Sequence, residues 1–279
     1  MADASRKRPR DDISLPLAGR VILITGGGGG IGRAAALALA RRGASVVAAD
    51  VHNASAVETA ALVDALETAA TCLALTVDVA DEQSVNVMIS DAVAHFGRID
   101  CALNAAGIEG ERATVHESSV ANFDRVMGTN LKGVFLCMRA EIAQMLKQQP
   151  AADDQQCAID ALNYSIVNVS SSAGQAGMPE FACYSASKHA INGLTRSASK
   201  EYAARGIRVN ALCPSTTATP MVERFAAAWP EWQAKQNASF PVGRIGSPEE
   251  VARVAAFLFG SDCPMMTGAC LTIDGGLSA

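Results

Sequence analysis

The sequence predicts an α/β fold: a mostly parallel, seven-stranded sheet, doubly wound, with helices on both faces. Three observations predict it. From Arg20 onward, short apolar runs alternate with helix-period segments, the pattern of successive βαβ units. The first apolar run is uninterrupted, as in a strand buried on both faces, and a glycine-rich turn joins it to the first helix. The composition is 49% hydrophobic but only 5% aromatic, so most of the apolar content is small or aliphatic and suited to helices packed closely on a sheet.

The elements follow in order. Val21-Ile22-Leu23-Ile24 is the first strand, and Ile31 to Arg42 an Ala/Leu-rich helix with arginines at its C-terminal end and Gly43 as its stop. Ser45 to Ala49 is the second strand and Ser55 to Ala69 the second helix. Leu73 to Val77 is a third strand, followed by a helix through Asp81 to Phe96. Ile99 to Asn104 is a fourth strand, and Ser118 to Lys147 a long helix. A polar stretch, Gln148 to Asn163, reads as a surface insertion. Then come a strand at Ser165 to Ser170, a helix at Tyr184 to Ala204 and a strand at Ile207 to Leu212. Ser247-Pro248-Glu249-Glu250 combines a capping box with proline at the first turn of a helix. Ala269 to Ile273 is the last strand.

At 279 residues the chain is long for one domain at about 150 residues each, yet α/β folds often reach ~250 as one. With no repeat and no charge block, residues 17–279 are expected to form one domain after a disordered tail at 1–16. No apolar run reaches the ~18 to 20 residues of a membrane helix, and a net charge of −5 argues against nucleic-acid binding. The basic run Arg6 to Arg10 is nearly cancelled by Asp11-Asp12 and reads as solvated tail. Eight cysteines lie far apart, with no zinc-like spacing to histidine. They read as reduced core thiols of a cytoplasmic protein, and no metal is expected. His52, His95, His116 and His189 are scattered and read as surface or packing residues.

Thr25 to Gly32 carries the first chemical signal. Glycines there let the backbone turn sharply and approach a pyrophosphate, while the helix N-terminus offers free N–H groups to its charge. Five consecutive glycines satisfy several spacings at once, so the letters alone say little. The context is more specific: a buried strand before, a helix after, and Asp50 about 20 residues on. This is the arrangement of a Rossmann-type dinucleotide site. A carboxylate at Asp50 accepts from the adenosine ribose 2′-OH and repels a 2′-phosphate, which favours NAD over NADP. Arg33 works against that preference if it reaches the ribose. A Walker-type loop is excluded by the missing Gly-Lys-Ser/Thr.

The second signal is Tyr184-Ser185-Ala186-Ser187-Lys188. Tyr184 and Lys188 share one helix face, about 6 Å apart along the axis. An ammonium beside a phenol lowers the phenol pKa from about 10 towards the range of a useful base. Alone, such a pair is usually a solvated helix face. With Ser170-Ser171-Ser172 at a strand end, where ligand crevices open, it becomes a candidate acid-base set, a serine there stabilising a substrate oxygen that gains charge.

With these residues in view, the chain resembles the short-chain dehydrogenase/reductase family from about Leu17 to the C-terminus. The likeness rests on the Thr25 to Gly32 loop, Asn104-Ala105-Ala106-Gly107, Asn130, Asn168-Val169-Ser170-Ser171, Tyr184-x-x-x-Lys188 and Asp274-Gly275-Gly276. The resemblance implies Ser171 as the catalytic serine and Tyr184 as general base in oxidation and general acid in reduction. It implies that Lys188 holds the nicotinamide ribose and lowers the tyrosine pKa, and that Asn130 holds a water of the proton relay. Cofactor contacts are expected at Gly26, Gly30, Ile31, Gly32, Asp50, Val51, Asp78, Val79, Asn104, Ala105, Ala106, Gly107, Tyr184, Lys188, Pro214, Thr217 and Thr219. One departure touches this set: Pro214-Ser215 stands where the family often has Pro-Gly.

The resemblance places a substrate lid at 219–240. There Met221, Phe225, Trp229 and Trp232, with Met178 and Phe181 outside it, read equally well as pocket walls or core. No charge is evidently placed to grip an anion, so the expected reaction is NAD-dependent interconversion of a neutral secondary alcohol and its ketone. The resemblance also implies a homo-oligomer, most often a tetramer, built through the long helices. Three alternatives stay open: an NADPH-dependent 3-oxoacyl-thioester reductase, a non-catalytic dinucleotide-sensing module, and a scaffold that uses the basic tail as its contact.

Overall fold

The computed structural model describes residues 16–149, 164–228 and 238–279. Their seven strands form one sheet: β1 (Val21–Thr25), β2 (Ser45–Asp50), β3 (Cys72–Thr76), β4 (Cys101–Asn104), β5 (Tyr164–Val169), β6 (Ile207–Pro214) and β7 (Cys270–Ile273). The order is β3-β2-β1-β4-β5-β6-β7, and every pairing is parallel. The helices are α1 (Gly30–Ala40), α2 (Asn53–Asp64), α3 (Glu82–Phe96), α4 (Val120–Val126), α5 (Gly133–Lys147), α6 (Ala182–Tyr202), α7 (Pro220–Ala228) and α8 (Pro248–Phe259).

Alternation along each strand sends side chains to two separate cores. Ile22, Ile24, Val46 and Leu103 pack with Leu39 of α1 and Ala255 and Phe259 of α8. Leu23, Val47, Ala102 and Ile166 face Met88 of α3, Ile142 of α5 and Ile191 of α6. With both faces covered, β1 and β4 are buried at every position, which is why their sequences are continuous apolar runs.

Several expected boundaries move, each for a local reason. The long helix predicted over 118–147 starts at Val120 and is interrupted by a π turn at Met127–Lys132. The turn contains Asn130, fully buried and bonded to the backbone of Ile108 on both sides of its amide. The fourth strand begins at Cys101, not Ile99, because the buried Asp100 carboxylate accepts the Val21 N–H at 2.9 Å and pairs with Arg98 at 2.6 Å. The second helix ends at Asp64, and Glu67 just beyond turns left-handed with φ +53°. At α8 the capping box is present, with Ser247 and Glu250 bonding reciprocally. Seven cysteines lie among the described residues and all are free; Cys157 falls outside them, with most of the expected tail and insertion. No helix among the described residues is long and apolar enough to cross a membrane.

Candidate active site

In this strand order the chain leaves β3 and returns to the far side of β1 as β4. The connections after β1 and β4 therefore diverge, and a crevice opens beyond their carboxyl ends. A cleft of about 570 Å³ lies there, running from Asp50 and the glycine loop to Met178 and Met221.

The glycine loop is built so that no side chain fits. A Cβ on Gly32 would stand 2.1 Å from the Gly26 carbonyl oxygen, and one on Gly26 would stand 2.8 Å from the Ala106 nitrogen. Gly26 also sits at φ +67°, a region costly for residues with a Cβ. Backbone packs on backbone at the mouth of the crevice, and this bare cradle fits the close approach of a pyrophosphate. At the same end, Asp50 lines the cleft. Its Oδ2 accepts the Gly28 N–H and its Oδ1 the His52 N–H, both at 3.0 Å, leaving lone pairs on both oxygens. Arg33 is drawn elsewhere: it pairs with Glu58 at 2.6 Å and donates to the Gly28 carbonyl and Thr59.

At the centre, three elements bring the acid-base candidates together. Ser171 follows β5, and its Oγ accepts the Ala173 N–H at 3.1 Å, which leaves its own hydrogen free. It is in hydrogen-bond contact with Tyr184 on α6. Ser170 is turned away and donates to the Lys188 carbonyl. Lys188 is buried; its Nζ donates to the Val169 carbonyl at 2.8 Å and lies 5.5 Å from the centre of the Tyr184 ring. Asn130 donates to Ser187 on the same helix at 3.1 Å. Both Asn130 Oδ1 and Lys188 Nζ lie within 3.6 Å of a Cβ built on Gly107.

The electrostatics differ from expectation. Burial pushes the Tyr184 phenol above its ordinary value, the Ser171 hydroxyl opposes that rise, and the Glu109 carboxylate adds to it. Lys188 does not govern the phenol in this state. The same desolvation lowers the Lys188 ammonium to about 8, so burial acts on both members of the pair and favours neutral forms.

Of the expected cofactor contacts, all but Asn104 line the cleft. Asn104 is a correction: on a strand buried on both faces its side chain turns into the core, where Nδ2 donates to Glu141 at 3.1 Å and to Asn168 at 3.0 Å. Glu141 is fully buried, and burial lifts its carboxyl to about 8. Because this folded value is raised above that of the unfolded chain, the stability it confers is full below about 4.5 and is lost as pH rises towards 8. Glu141→Gln is expected to flatten that slope, read as urea midpoints at pH 5.5 and 8.5. Ser215, the departure from Pro-Gly, lines the cleft without a left-handed backbone.

At the far end the expected lid is partly described. Met221 lines the cleft with Met178 and Phe181; the side chain of Phe225, and Trp229 and Trp232, lie outside the described residues. Two charged residues missed in the sequence, Glu109 and Arg224, also line it. The absence of a charge at this end is thus a second correction. Nothing local distinguished them, since 115 residues separate them along the chain.

A family model described as Enoyl-(Acyl carrier protein) reductase matches residues 27–278. The cis-4-hydroxycyclohexanecarboxylate dehydrogenase of Sinomonas cyclohexanicum is 40% identical over 260 residues, covering 93% of this chain and 97% of its own length. The 2-(S)-hydroxypropyl-CoM dehydrogenase 3 of Xanthobacter autotrophicus is 37% identical over 266 residues, covering 94% and 98%. The crystal structure of levodione reductase superposes with a TM-score of 0.85 at 35% identity, covering 93% and 98%. The chain belongs to the short-chain dehydrogenase/reductase family, oxidoreductases that work with a nicotinamide dinucleotide.

Proposed function

We propose that this chain is an NAD-dependent dehydrogenase that interconverts a small secondary alcohol and its ketone, its described parts acting as one catalytic domain. The observation that carries this is the convergence of Ser171, Tyr184 and Lys188 from two elements at the middle of the same cleft whose far wall holds Asp50. When bound, the nicotinamide ring supplies or accepts the hydride. Tyr184 handles the proton on the substrate oxygen, as acid in reduction and as base in oxidation. The Ser171 hydroxyl donates to that oxygen as its charge develops. Lys188 would hold the nicotinamide ribose and contribute positive charge, and Asn130 positions the relay through its hold on Ser187 and Ile108. Relatives that act on a hydroxycyclohexane acid, a hydroxypropyl thioether and levodione by name support a secondary carbinol as the reacting group.

NAD is preferred because a carboxylate stands where a 2′-phosphate would bring charge, and Arg33 is committed to Glu58 instead of reaching the ribose. The thioester-reductase alternative, tied to NADPH, lacks that cation. A sensor has no use for the acid-base set. The test compares NAD and NADP binding in the wild type and in Asp50→Ala. Wild type is expected to bind NAD more tightly, and the variant to lose about 10-fold or more in NAD affinity, the worth of hydrogen bonds to a charged acceptor. Tighter NADP binding by the wild type overturns the preference.

The same proposal includes a homo-oligomer, a tetramer by resemblance. Phe123 and Phe135 are exposed on the α4–α5 side, and Phe135 joins Leu131 and Leu194 around an apolar recess. Exposed large side chains grouped this way mark association surfaces. Phe135→Asp is expected to shift the molecular mass by light scattering to a smaller species. An unchanged mass sinks this interface.

A further inference from the structure

The substrate end of the cleft holds one carboxylate and one guanidinium, and neither is engaged in holding the fold. Glu109 follows the Asn104 to Ile108 stretch beyond β4; its side chain is only 25% exposed. Arg224 projects from α7 across the cleft, with its side chain 66% exposed. Their nearest atoms, Arg224 Nη2 and Glu109 Oε1, are 3.6 Å apart, beyond hydrogen-bond range. Neither group makes a hydrogen bond to another described residue. The contrast with Asp100 is direct: that carboxylate, wholly buried, takes both a backbone N–H and a bidentate arginine.

A partly buried carboxylate gains when donors reach its lone pairs. A long ion pair to an exposed guanidinium adds modest attraction and supplies no donor. Glu109 therefore presents unsatisfied acceptor capacity into the cleft, near enough to Tyr184 for its charge to act on the phenol. Around it Met178, Phe181, Met221 and Val222 are fit to pack carbon skeleton only. A substrate hydroxyl in the cleft is placed to supply that donor.

We propose that Glu109 determines specificity by accepting a hydrogen bond from a second hydroxyl group of the substrate, with Arg224 facing it across the cleft. The substrate class is then an uncharged diol or its hydroxyketone. This rests on Tyr184 and Ser171 marking the reacting carbinol. A mono-alcohol fills the cleft beside Glu109 without offering it a donor, the arrangement by which a polar subsite rejects an analogue lacking the group it was shaped for. An anionic substituent meets the Glu109 charge inside the cleft, while the cation that would attract it lies mostly in solvent.

The test measures kcat/KM with NAD for the 1,2-, 1,3- and 1,4-cyclohexanediols, cyclohexanol and cis-4-hydroxycyclohexanecarboxylate. Wild type is expected to prefer at least one diol over cyclohexanol by about tenfold or more. Glu109→Leu is expected to bring that ratio to about one, its effect on Tyr184 being shared by both alcohols and cancelling in the ratio; Glu109→Gln, which keeps an acceptor, retains part of it. A ratio taken within each variant is insensitive to partial misfolding. Three results overturn the inference alone: equal turnover of diol and cyclohexanol, a diol preference that survives Glu109→Leu, or preference for the carboxylate that vanishes in Arg224→Met. Failure to oxidise any of these alcohols overturns the underlying reaction and the inference with it.

Discussion

Replacing Tyr184 by phenylalanine is expected to lower kcat/KM for alcohol oxidation by about 10²- to 10⁴-fold, the span of positioned acid-base catalysis. The ring remains, so the packing of α6 and the place of Lys188 above it are kept, and NADH affinity is expected to stay near wild type. What is lost is the only hydroxyl in hydrogen-bond contact with Ser171 at the middle of the cleft among the described residues. The pH profile adds a second reading of the same group. Burial and Glu109 raise the phenol, so oxidation, which needs the phenolate, is expected to accelerate with rising pH, whereas reduction, which needs the phenol, is favoured at neutral pH. Steady-state rates in both directions, with fluorescence titration of NADH, check these outcomes. Oxidation by Tyr184→Phe within a few-fold of wild type removes the tyrosine from the mechanism.

Gly32→Ala is expected to be the most damaging single methyl in the chain. Its Cβ would lie 2.1 Å from the Gly26 carbonyl oxygen, and what stands in the way is main chain, which cannot change rotamer. Relief requires the loop and the first turn of α1 to separate. We expect a loss of about 3 kcal/mol or more, at or beyond the usual range for overpacking, seen as a lower urea midpoint. Dinucleotide binding should fall with it, because the same separation spoils the cradle. Gly29→Ala is the control: a Cβ there meets nothing within 4 Å, and it should be close to neutral. Equal stability of the two variants means the loop is looser than its packing implies.

Much of this molecule could be read before any coordinates. The strands announced themselves because burial on both faces removes alternation, and Ser247 to Glu250 declared a helix start through chemistry confined to four residues. The π turn was not legible: Gly128, Thr129 and Asn130 weaken the helix there without specifying a bulge, and only the bonds of Asn130 to Ile108, 22 residues away, disclose it. Asn104 was misplaced because a motif names a residue without saying which face of the sheet it takes. Glu109 and Arg224 were invisible for a related reason. Each is an unremarkable charge in its own segment, and their meeting is a property of the closed fold.

The packing of α8 on α1 has a consequence for how the chain is made. Leu39 near the beginning and Ala255 and Phe259 near the end share one core. While synthesis is in progress, the part of α1 that α8 covers therefore stays open until residues 248–259 have left the ribosome. Until then the growing chain carries an open patch of small apolar side chains on α1, whose burial waits for the final helix.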